Sequence, residues 1–185
     1  MIKVIAFDLV GVLVSEKMIK LTSDEEKIEM LFGPNKSDNE FILLSKEKIG
    51  NKPVLDIATN IIYKLYKVRQ ENIIEQIKEK YPNIKIVIAT NHISLIKKYI
   101  ENNFKLIDDI IISADIGMIK PNSDFYKYIL NKLNIESSEL LFLDDNQNNI
   151  NGANNIGINT IKVEKNMDLF YEIDKFIKNI ETREI

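Results

Sequence analysis

Three apolar stretches of this chain end in polar side chains whose types could act together in chemistry. The polar ends are Asp8 after residues 4–7, Thr90 and Asn91 after residues 84–89, and Asp144 and Asp145 after residues 140–143. Short apolar runs rich in β-branched residues are typical of buried parallel strands, whose carboxyl ends face one crevice at the edge of a sheet. We therefore expect three carboxylates and a hydroxyl in one crevice, with the Lys120 ammonium on a loop at the same edge.

Such a set suits a cation together with a phosphate group. Carboxylates packed closely repel one another, so a bound cation is their natural partner. The chain has no cysteine and one histidine, and oxygen ligands alone favour a hard ion, which predicts Mg²⁺. A lysine, and a hydroxyl at a helix N-terminus, outline a phosphate site. An Asp that faces a phosphoryl group can also act as a nucleophile and form an aspartyl-phosphate.

The remaining pattern supplies the elements that must position these side chains. Further strands are predicted at residues 110–113 and 159–163, and helices at residues 94–102, 124–133, 148–155 and 169–179. Ser123 or Asp124 is the expected N-cap of the helix over 124–133. Strands that alternate with helices predict an α/β fold, with a parallel sheet covered on both faces.

Residues 15–81 interrupt this alternation. They carry few strand signals, and their apolar spacing predicts helices at about 23–32, 41–48, 54–66 and 71–80. The first of these helices has an acidic first turn and is expected to end at Gly33-Pro34-Asn35. The sequence therefore predicts an all-helical insertion between the first two strands of the sheet.

Composition excludes several classes of function. Lys and Arg total 25 against 28 for Asp and Glu, and this net charge of -3 is interspersed, so we expect no nucleic-acid partner. The N-terminal apolar run is too short to span a membrane and flows into the first strand, so we expect no signal peptide and no membrane partner. The absence of cysteine suits the cytoplasm, where we expect this protein to be located.

Four motifs resemble those of the haloacid dehalogenase-like (HAD) hydrolase superfamily. They are Phe7-Asp8-Leu9-Val10-Gly11-Val12-Leu13, Ile88-Ala89-Thr90-Asn91, residues 112–121, and residues 142–149 followed by Gly152-Ala153 and Gly157. The last two are similar to a subgroup that contains α-glucose-1-phosphate phosphatases and the phosphatase domain of soluble epoxide hydrolases. The resemblance implies a three-layer Rossmann-like fold, with a core domain at residues 1–14 and 83–185. It also implies a helical cap domain at residues 15–82, which would close over the site and select the substrate.

The resemblance also implies roles for the residues that match its motifs. Asp8 matches the catalytic nucleophile, and Lys120 matches a catalytic lysine that neutralises charge and binds the phosphate of a small phosphorylated metabolite. Thr90 matches the phosphate-binding hydroxyl, and Asn91 is a secondary binding candidate. The implied Mg²⁺ ligands are Asp8, the backbone carbonyl of Val10, Asp145 and its neighbour Asp144, with Asn149 and Gly11 in supporting positions.

Val10 departs from the family's pattern. Most HAD phosphatases carry at this position a second Asp, which protonates the leaving group and then deprotonates the attacking water. Valine can do neither, and general acid–base help of this kind is worth on the order of a hundredfold to ten-thousandfold in rate. Some members of the similar subgroup have Gly there, so the absence of this Asp does not by itself exclude hydrolysis.

Three functions follow from this pattern. The first is an Mg²⁺-dependent phosphatase that acts on a small phosphomonoester, such as a sugar phosphate, through an aspartyl-phosphate. Its turnover is expected to be impaired by Val10 in place of the usual acid–base Asp. The second is a weakly catalytic or inactive module that binds phosphorylated metabolites or a protein. The third is a dehalogenase or a phosphonatase, the latter using a cap lysine chosen from Lys17, Lys20, Lys46, Lys48 and Lys52. The acidic pair Asp144-Asp145 argues against a dehalogenase. The five cap lysines are explained more simply as residues of a solvent-exposed face than as the catalytic lysine of a phosphonatase.

Other polar residues have structural explanations. His92 invites a role as substitute acid–base, and we favour a place in the first turn of the following helix. Asp115 and Asp124 are expected to be loop and capping residues, and Tyr63 and Tyr66 to belong to the core of the cap.

Overall fold

A five-stranded parallel sheet forms the centre of the computed structural model, which describes residues 1–33 and 37–182. Its strand order is β5-β4-β1-β6-β7. The strands are β1 (Val4–Phe7), β4 (Lys85–Thr90), β5 (Asp109–Ile112), β6 (Leu140–Asp144) and β7 (Asn159–Lys162). Phe7 pairs with Ile88 on one side and with Leu143 on the other, so β1, β4 and β6 end at the same edge of the sheet. β6 continues one residue beyond the end of β1, and β4 continues two.

The two faces of the sheet bury different side chains because successive residues of a strand point to opposite faces. Ile5 and Phe7 pack into one apolar cluster, and Val4 and Ala6 pack into another. The first cluster receives α4 (Ile73–Lys80), α5 (Ile96–Asn103) and α9 (Leu169–Glu181). The second receives α7 (Ser123–Leu133) and α8 (Gln147–Asn154). These three layers confirm the predicted Rossmann-like α/β fold.

Two details of the predicted elements are wrong. Ser113 does not end a strand but begins the short helix α6 (Ser113–Ile116). The N-cap of α7 is Asn122, rather than Ser123 or Asp124, and its side chain makes no capping hydrogen bond. Without a capping side chain to mark the helix start, the sequence placed this boundary one or two residues late.

The segment between β1 and β4 contains α1 (Ser23–Glu29), α2 (Asp38–Ile49), α3 (Val54–Leu65) and α4. Thr22 and Glu25 form a capping box at the start of α1, as the acidic first turn predicted. Part of the predicted break at Gly33-Pro34-Asn35 lies outside the described residues, because Pro34 and Asn35 are not among them. α4 packs against α9.

The prediction that this segment is all helical is wrong. Val14–Glu16 (β2) pairs antiparallel with Tyr66–Val68 (β3) in a separate two-stranded sheet. Strands of three residues are too short to show an alternating pattern, which is why the sequence concealed them. The division into a core and a cap of residues 15–82 stays a prediction.

Within residues 1–33 and 37–182, no helix has both the length and the apolar character needed to cross a membrane.

Candidate active site

A buried lysine lies between two of the predicted site carboxylates. The Lys120 Nζ is 2.8 Å from Asp8 Oδ1 and 2.7 Å from Asp144 Oδ2. The Lys120 side chain is 1% exposed, so water screens these ion pairs little. Burial alone would lower the pKa of Lys120, but Asp8 and Asp144 together outweigh it and raise that pKa. The lysine therefore carries its charge in the fold.

The backbone of Lys120 is fixed by Asn91. The Asn91 Nδ2 donates to the Lys120 carbonyl at 2.9 Å, and the Lys120 N–H donates to Asn91 Oδ1 at 3.0 Å. The loop that carries Lys120 is also packed closely against α8. A Cβ on Gly152 of α8 would lie 2.4 Å from the Pro121 carbonyl oxygen, so the absence of a side chain at Gly152 lets α8 approach this loop. In this structure the Asn91 side-chain amide holds the backbone of Lys120 in place. The predicted role of Asn91 in binding phosphate stays a prediction.

Asp144 is the most completely bonded carboxylate of the site. Besides Lys120, it accepts hydrogen bonds from the Asn149 Nδ2, at 3.0 and 3.1 Å to its two oxygens, and from the Asn146 N–H at 2.8 Å. Its side chain is fully buried. Asn149 thus bonds to Asp144, which in turn pairs with Lys120, and its supporting role stays a prediction.

The loop after β1 brings Gly11 against Asp145. The φ angle of Gly11 is +88°, which L side chains rarely adopt. A Cβ on Gly11 would lie 2.2 Å from Asp145 Oδ2, inside van der Waals contact. The position therefore requires glycine both for its backbone conformation and for the space that the Asp145 carboxylate occupies.

Three carboxylates of the site lie close enough to share one cation. Asp8, Asp144 and Asp145 each offer an oxygen, and these oxygens lie within 4.8 Å of one another. Burial raises the pKa of Asp8 to about 6, opposed by Lys120 and reinforced by Asp144. Burial and the Asp144 charge also raise the pKa of Asp145. Crowded oxygen donors that disfavour their own ionisation fit a divalent cation.

Thr90 and Val10 lie at the same edge of the sheet. Thr90 is the last residue of β4 and is buried. Val10 is half-buried in the loop after β1 and forms a bridge with Val14. Its side chain carries no proton that could be exchanged with a substrate. The phosphate role of Thr90 and the metal role of the Val10 carbonyl stay predictions.

His92 is buried and both of its ring nitrogens have partners. Its Nδ1 lies 3.2 Å from the Ile93 carbonyl oxygen, which can only accept, so Nδ1 carries the proton. The Nε2 then accepts from the Tyr66 hydroxyl at 3.1 Å. Burial lowers the pKa of His92 to about 4, so the ring is neutral near pH 7. These contacts favour a structural role of His92 over a role as proton carrier. The expected place in the first turn of the following helix is wrong, because α5 begins only at Ile96 and His92 lies in the loop before it.

The two tyrosines that we expected in the cap core differ. Tyr66 is buried against His92 and Tyr99, and burial raises its pKa. Tyr63 is 40% exposed, so its expected place in the core is wrong. Its ring packs on Tyr99 and its hydroxyl accepts from the Asn102 Nδ2 at 2.7 Å, which places it at the edge between α3 and α5.

The remaining residues considered from sequence lie on the surface or in loops. The cap lysines Lys20, Lys46, Lys48 and Lys52 are exposed, and Lys52 pairs with Asp24. Lys17 is half-buried, with its Nζ 3.5 Å from the Tyr63 carbonyl oxygen. Asp115 accepts from the Ser94 hydroxyl and lies in α6, so its expected place in a loop is wrong. Asp124 lies in the first turn of α7 near Lys127 and is not its N-cap.

Sequence reasoning missed Arg69. Its guanidinium donates to the carbonyls of Gly11 and Glu164, the second at 3.0 Å. The one feature of the sequence that could have drawn attention to Arg69 is the scarcity of arginine. Of the 25 Lys and Arg residues, only Arg69 and Arg183 are arginine. No motif marked it, since it bonds to backbone carbonyls, which leave no trace in the sequence.

The fold and this edge define a class: a Rossmann-like α/β protein with a buried Asp–Lys–Asp arrangement at the carboxyl ends of its central strands. A family model described as haloacid dehalogenase-like hydrolase matches residues 5–163. The chain belongs to this family of hydrolases, which confirms the resemblance drawn from the four motifs.

Solved structures of the same fold cover nearly the whole chain. A predicted HAD-like family hydrolase from Porphyromonas gingivalis has a TM-score of 0.76 at 19% identity, covering 96% of this chain and 98% of its own. The HAD family enzyme bt-2542 from Bacteroides thetaiotaomicron, in complex with magnesium and inorganic phosphate, has a TM-score of 0.73 at 18% identity, covering 93% and 99%. A HAD phosphatase from Thermococcus onnurineus has a TM-score of 0.66 at 17% identity, covering 95% and 98%. At this identity the likeness is one of fold.

Curated relatives match over shorter stretches. Bifunctional epoxide hydrolase 2 of Rattus norvegicus is 37% identical over 68 residues, which are 37% of this chain and 12% of the relative. Acyl-CoA dehydrogenase family member 10 of Mus musculus is 30% identical over 92 residues, which are 50% of this chain and 9% of the relative. The chain thus spans about a tenth of the length of these relatives.

Proposed function

We propose that this protein is an Mg²⁺-dependent phosphatase that hydrolyses a small phosphomonoester, such as a sugar phosphate, through an aspartyl-phosphate on Asp8. The observation that carries the proposal is the position of the Asp8 carboxylate. It is paired with Lys120, and its oxygen lies within 4.8 Å of carboxylate oxygens of Asp144 and Asp145. The magnesium and phosphate complex of bt-2542, a protein of the same fold, supports the choice of ligands. The charge and lack of cysteine suit the cytoplasm, where we propose that it acts.

The donor set fits the proposed ion. Asp8, Asp145 and Asp144 would hold Mg²⁺ together with the Val10 carbonyl, all through oxygen, which is the ligand that Mg²⁺ prefers. When bound, Mg²⁺ supplies positive charge to the carboxylates and to the phosphoryl oxygens. Lys120 adds a fixed positive charge beside Asp8, and Thr90 offers a hydroxyl to the phosphate.

Asp8 is the nucleophile of the first step of the proposed reaction, and water is the nucleophile of the second. An Asp8 oxygen attacks phosphorus, the bond from phosphorus to the substrate oxygen breaks, and the leaving alkoxide takes a proton from water. A second water then attacks the phosphorus of the aspartyl-phosphate and loses a proton to the hydroxide that the first step left. The bond from phosphorus to Asp8 breaks, which releases inorganic phosphate and regenerates the carboxylate. Val10 gives no proton in the first step and takes none in the second.

Residues 15–82 are proposed to form a cap over this crevice. Two hydrogen bonds support this arrangement: the Tyr66 hydroxyl donates to His92, and the Ser94 N–H donates to Asp38 Oδ1 at 3.1 Å. Both link the segment to the loop that follows β4. A cap held against that loop would exclude bulk water from the phosphate and admit only a small substrate.

The experiment compares wild type, Asp8→Asn and Val10→Asp on aryl and sugar phosphates with and without Mg²⁺. Wild type should hydrolyse aryl phosphates faster than sugar phosphates, because a phenolate leaves without protonation and an alkoxide does not. Val10→Asp should raise the rate on sugar phosphates by on the order of a hundredfold or more, and Asp8→Asn should abolish both activities. Wild-type hydrolysis that persists in Asp8→Asn contradicts the proposed nucleophile.

The second candidate is a module that binds phosphorylated metabolites without turning them over. The observation in its favour is that Val10 lacks the acid–base group. His92, the single histidine of the sequence, is neutral, and its ring nitrogens are bonded to Tyr66 and Ile93. Binding of sugar phosphates by calorimetry, with turnover in Val10→Asp and none in wild type, would favour this module over the phosphatase.

A further inference from the structure

The loop after β1 is closed by its own backbone. The N–H groups of Leu13 and Val14 both donate to the Leu9 carbonyl at 2.9 Å, and the Gly11 N–H donates to the Val14 carbonyl at 2.8 Å. These bonds use the amides of the turn and leave the Gly11 carbonyl without a partner inside it. The partner of that carbonyl comes from another part of the chain, at residue 69.

Arg69 joins three segments at this point. Its backbone N–H donates to the Leu13 carbonyl at 2.9 Å, directly after β3. Its Nη1 donates to the Gly11 carbonyl, and its Nη2 donates to the carbonyls of Glu164 and Lys165 in the loop after β7. The planar guanidinium presents several N–H groups in a rigid fork, so one side chain can hold both loops at once.

Gly11 transmits this restraint to the site. Its backbone lies against the Asp145 carboxylate, since even a Cβ there would overlap Asp145 Oδ2. It also directly follows Val10, whose carbonyl is a proposed metal ligand. A shift of the Gly11 peptide would therefore move one proposed ligand and remove the support of another.

We infer that Arg69 is a positioning residue, which fixes the Gly11 peptide and thereby the Val10 carbonyl and Asp145 as ligands of the cation. This inference rests on the proposed function, because it concerns the same site. Arg69 itself contacts backbone carbonyls and is not assigned a contact with substrate. Its role is to keep the loop after β1 in one arrangement before the cation and the phosphate bind.

Gln70 provides a matched control for this role. Its Nε2 donates to the Met167 carbonyl at 3.4 Å, and its Oε1 accepts from the Leu169 N–H at 3.1 Å. Like Arg69, it therefore ties the end of β3 to the loop after β7, but these bonds do not involve Gly11. A variant at Gln70 loosens the same distant loop and leaves the loop after β1 as it is.

The test measures Mg²⁺ affinity by titration calorimetry and amide exchange at Leu13 and Val14 in Arg69→Met, Arg69→Lys and Gln70→Leu. Arg69→Met should bind Mg²⁺ about tenfold more weakly than wild type, as is usual when the partner that orients a ligand is lost. Its Leu13 and Val14 amides should exchange faster without any metal. Arg69→Lys, which can keep a single bond to Gly11, should fall between Arg69→Met and wild type. Gln70→Leu should match wild type in both measurements.

Wild-type Mg²⁺ affinity in Arg69→Met, or an equal loss in Gln70→Leu, would overturn the inference, because the arginine would then act only on general stability. If Arg69→Met fails to fold, the comparison of Arg69→Lys with Gln70→Leu decides the question in the same way. Failure of wild type itself to bind Mg²⁺ contradicts the proposed function and the ligand role with it. The exchange measured without metal still decides whether Arg69 holds the loop, so the two failures are distinguishable.

Discussion

One side of the candidate site is held by charged and amide side chains, and the opposite side is held by the backbone. We call Asn91, Lys120, Asp144 and Asn149 the lysine side, where every member bonds to another at 2.7 to 3.1 Å. We call Val10, Gly11 and Asp145 the glycine side, where a tight turn, a missing Cβ and Arg69 fix the geometry.

The difference separates two requirements of a catalytic site. The lysine side fixes the positive charge of Lys120 beside Asp8. The cost is desolvation of buried ions, each of which is stable only while its partner is present. The glycine side leaves oxygens free for an incoming cation, so its members cannot be held by their own strong hydrogen bonds. Damage to the lysine side should therefore appear as lost stability, and damage to the glycine side as lost binding.

The largest effect is expected for Lys120→Met on the lysine side. The change leaves the buried Asp8 and Asp144 carboxylates without their cation, which typically costs about 3–5 kcal/mol of unfolding free energy. Urea unfolding measures the loss, and hydrolysis of an aryl phosphate should disappear with it. Lys127→Met is the control, because Lys127 makes a long, exposed contact of 3.8 Å with Asp124 and should change stability little. Equal stability of the two variants would mean that the lysine side is not held by this charge.

Gly11→Ala tests the glycine side, with Gly50→Ala as its matched control. Both glycines have a positive φ, +88° and +73°, so each change should cost about 1–3 kcal/mol in backbone strain. At Gly50 a Cβ meets nothing within 4 Å, whereas at Gly11 it displaces the Asp145 carboxylate. We expect similar urea midpoints for the two variants and a loss of Mg²⁺ binding in Gly11→Ala alone. Normal Mg²⁺ binding by Gly11→Ala would remove Asp145 from the proposed ligands.

Asn91→Ala separates positioning from substrate binding on the lysine side. The variant loses both bonds to the Lys120 backbone, which should cost about 1–2 kcal/mol of stability. If Asn91 acts through Lys120, kcat should fall while KM for an aryl phosphate changes little. A higher KM with unchanged kcat would instead support the phosphate contact predicted from the motif.

The sequence predicted the residues on both sides of the site, but not the contacts that hold the glycine side in place. Asp8 and Asp144 could be found because a polar residue at the end of an apolar strand is a visible change in pattern, whereas Lys120 lies on a loop and Asn149 was matched through the resemblance to the fourth motif. The bond from Arg69 to Gly11 could not be found, since any residue offers a carbonyl and 58 residues separate the two partners. The same holds for β2 and β3, whose pairing is set by contacts between distant segments.

His92 gives the smallest expected effect and tests whether a hidden proton carrier lies beyond Thr90. Burial holds its pKa near 4, below the value of 6.5 for an exposed histidine, so between these values the unfolded chain binds more protons than the fold. Stability should therefore fall as the pH falls through this window, with a contribution from His92 of less than about 1 kcal/mol between about pH 7 and pH 6. His92→Gln removes the titrating ring, so its urea midpoint should depend less steeply on pH than that of wild type.

The same variant then decides whether His92 supplies the proton that Val10 does not. If the His92 ring is only a packed partner of Tyr66, the pH profile of kcat on an aryl phosphate keeps its shape in His92→Gln, even where the amplitude falls. A limb of that profile that disappears with the ring would show that His92 titrates during turnover despite its burial. The missing Asp at position 10 would then have a replacement two residues beyond Thr90, and the slow turnover expected of wild type on sugar phosphates would not be observed.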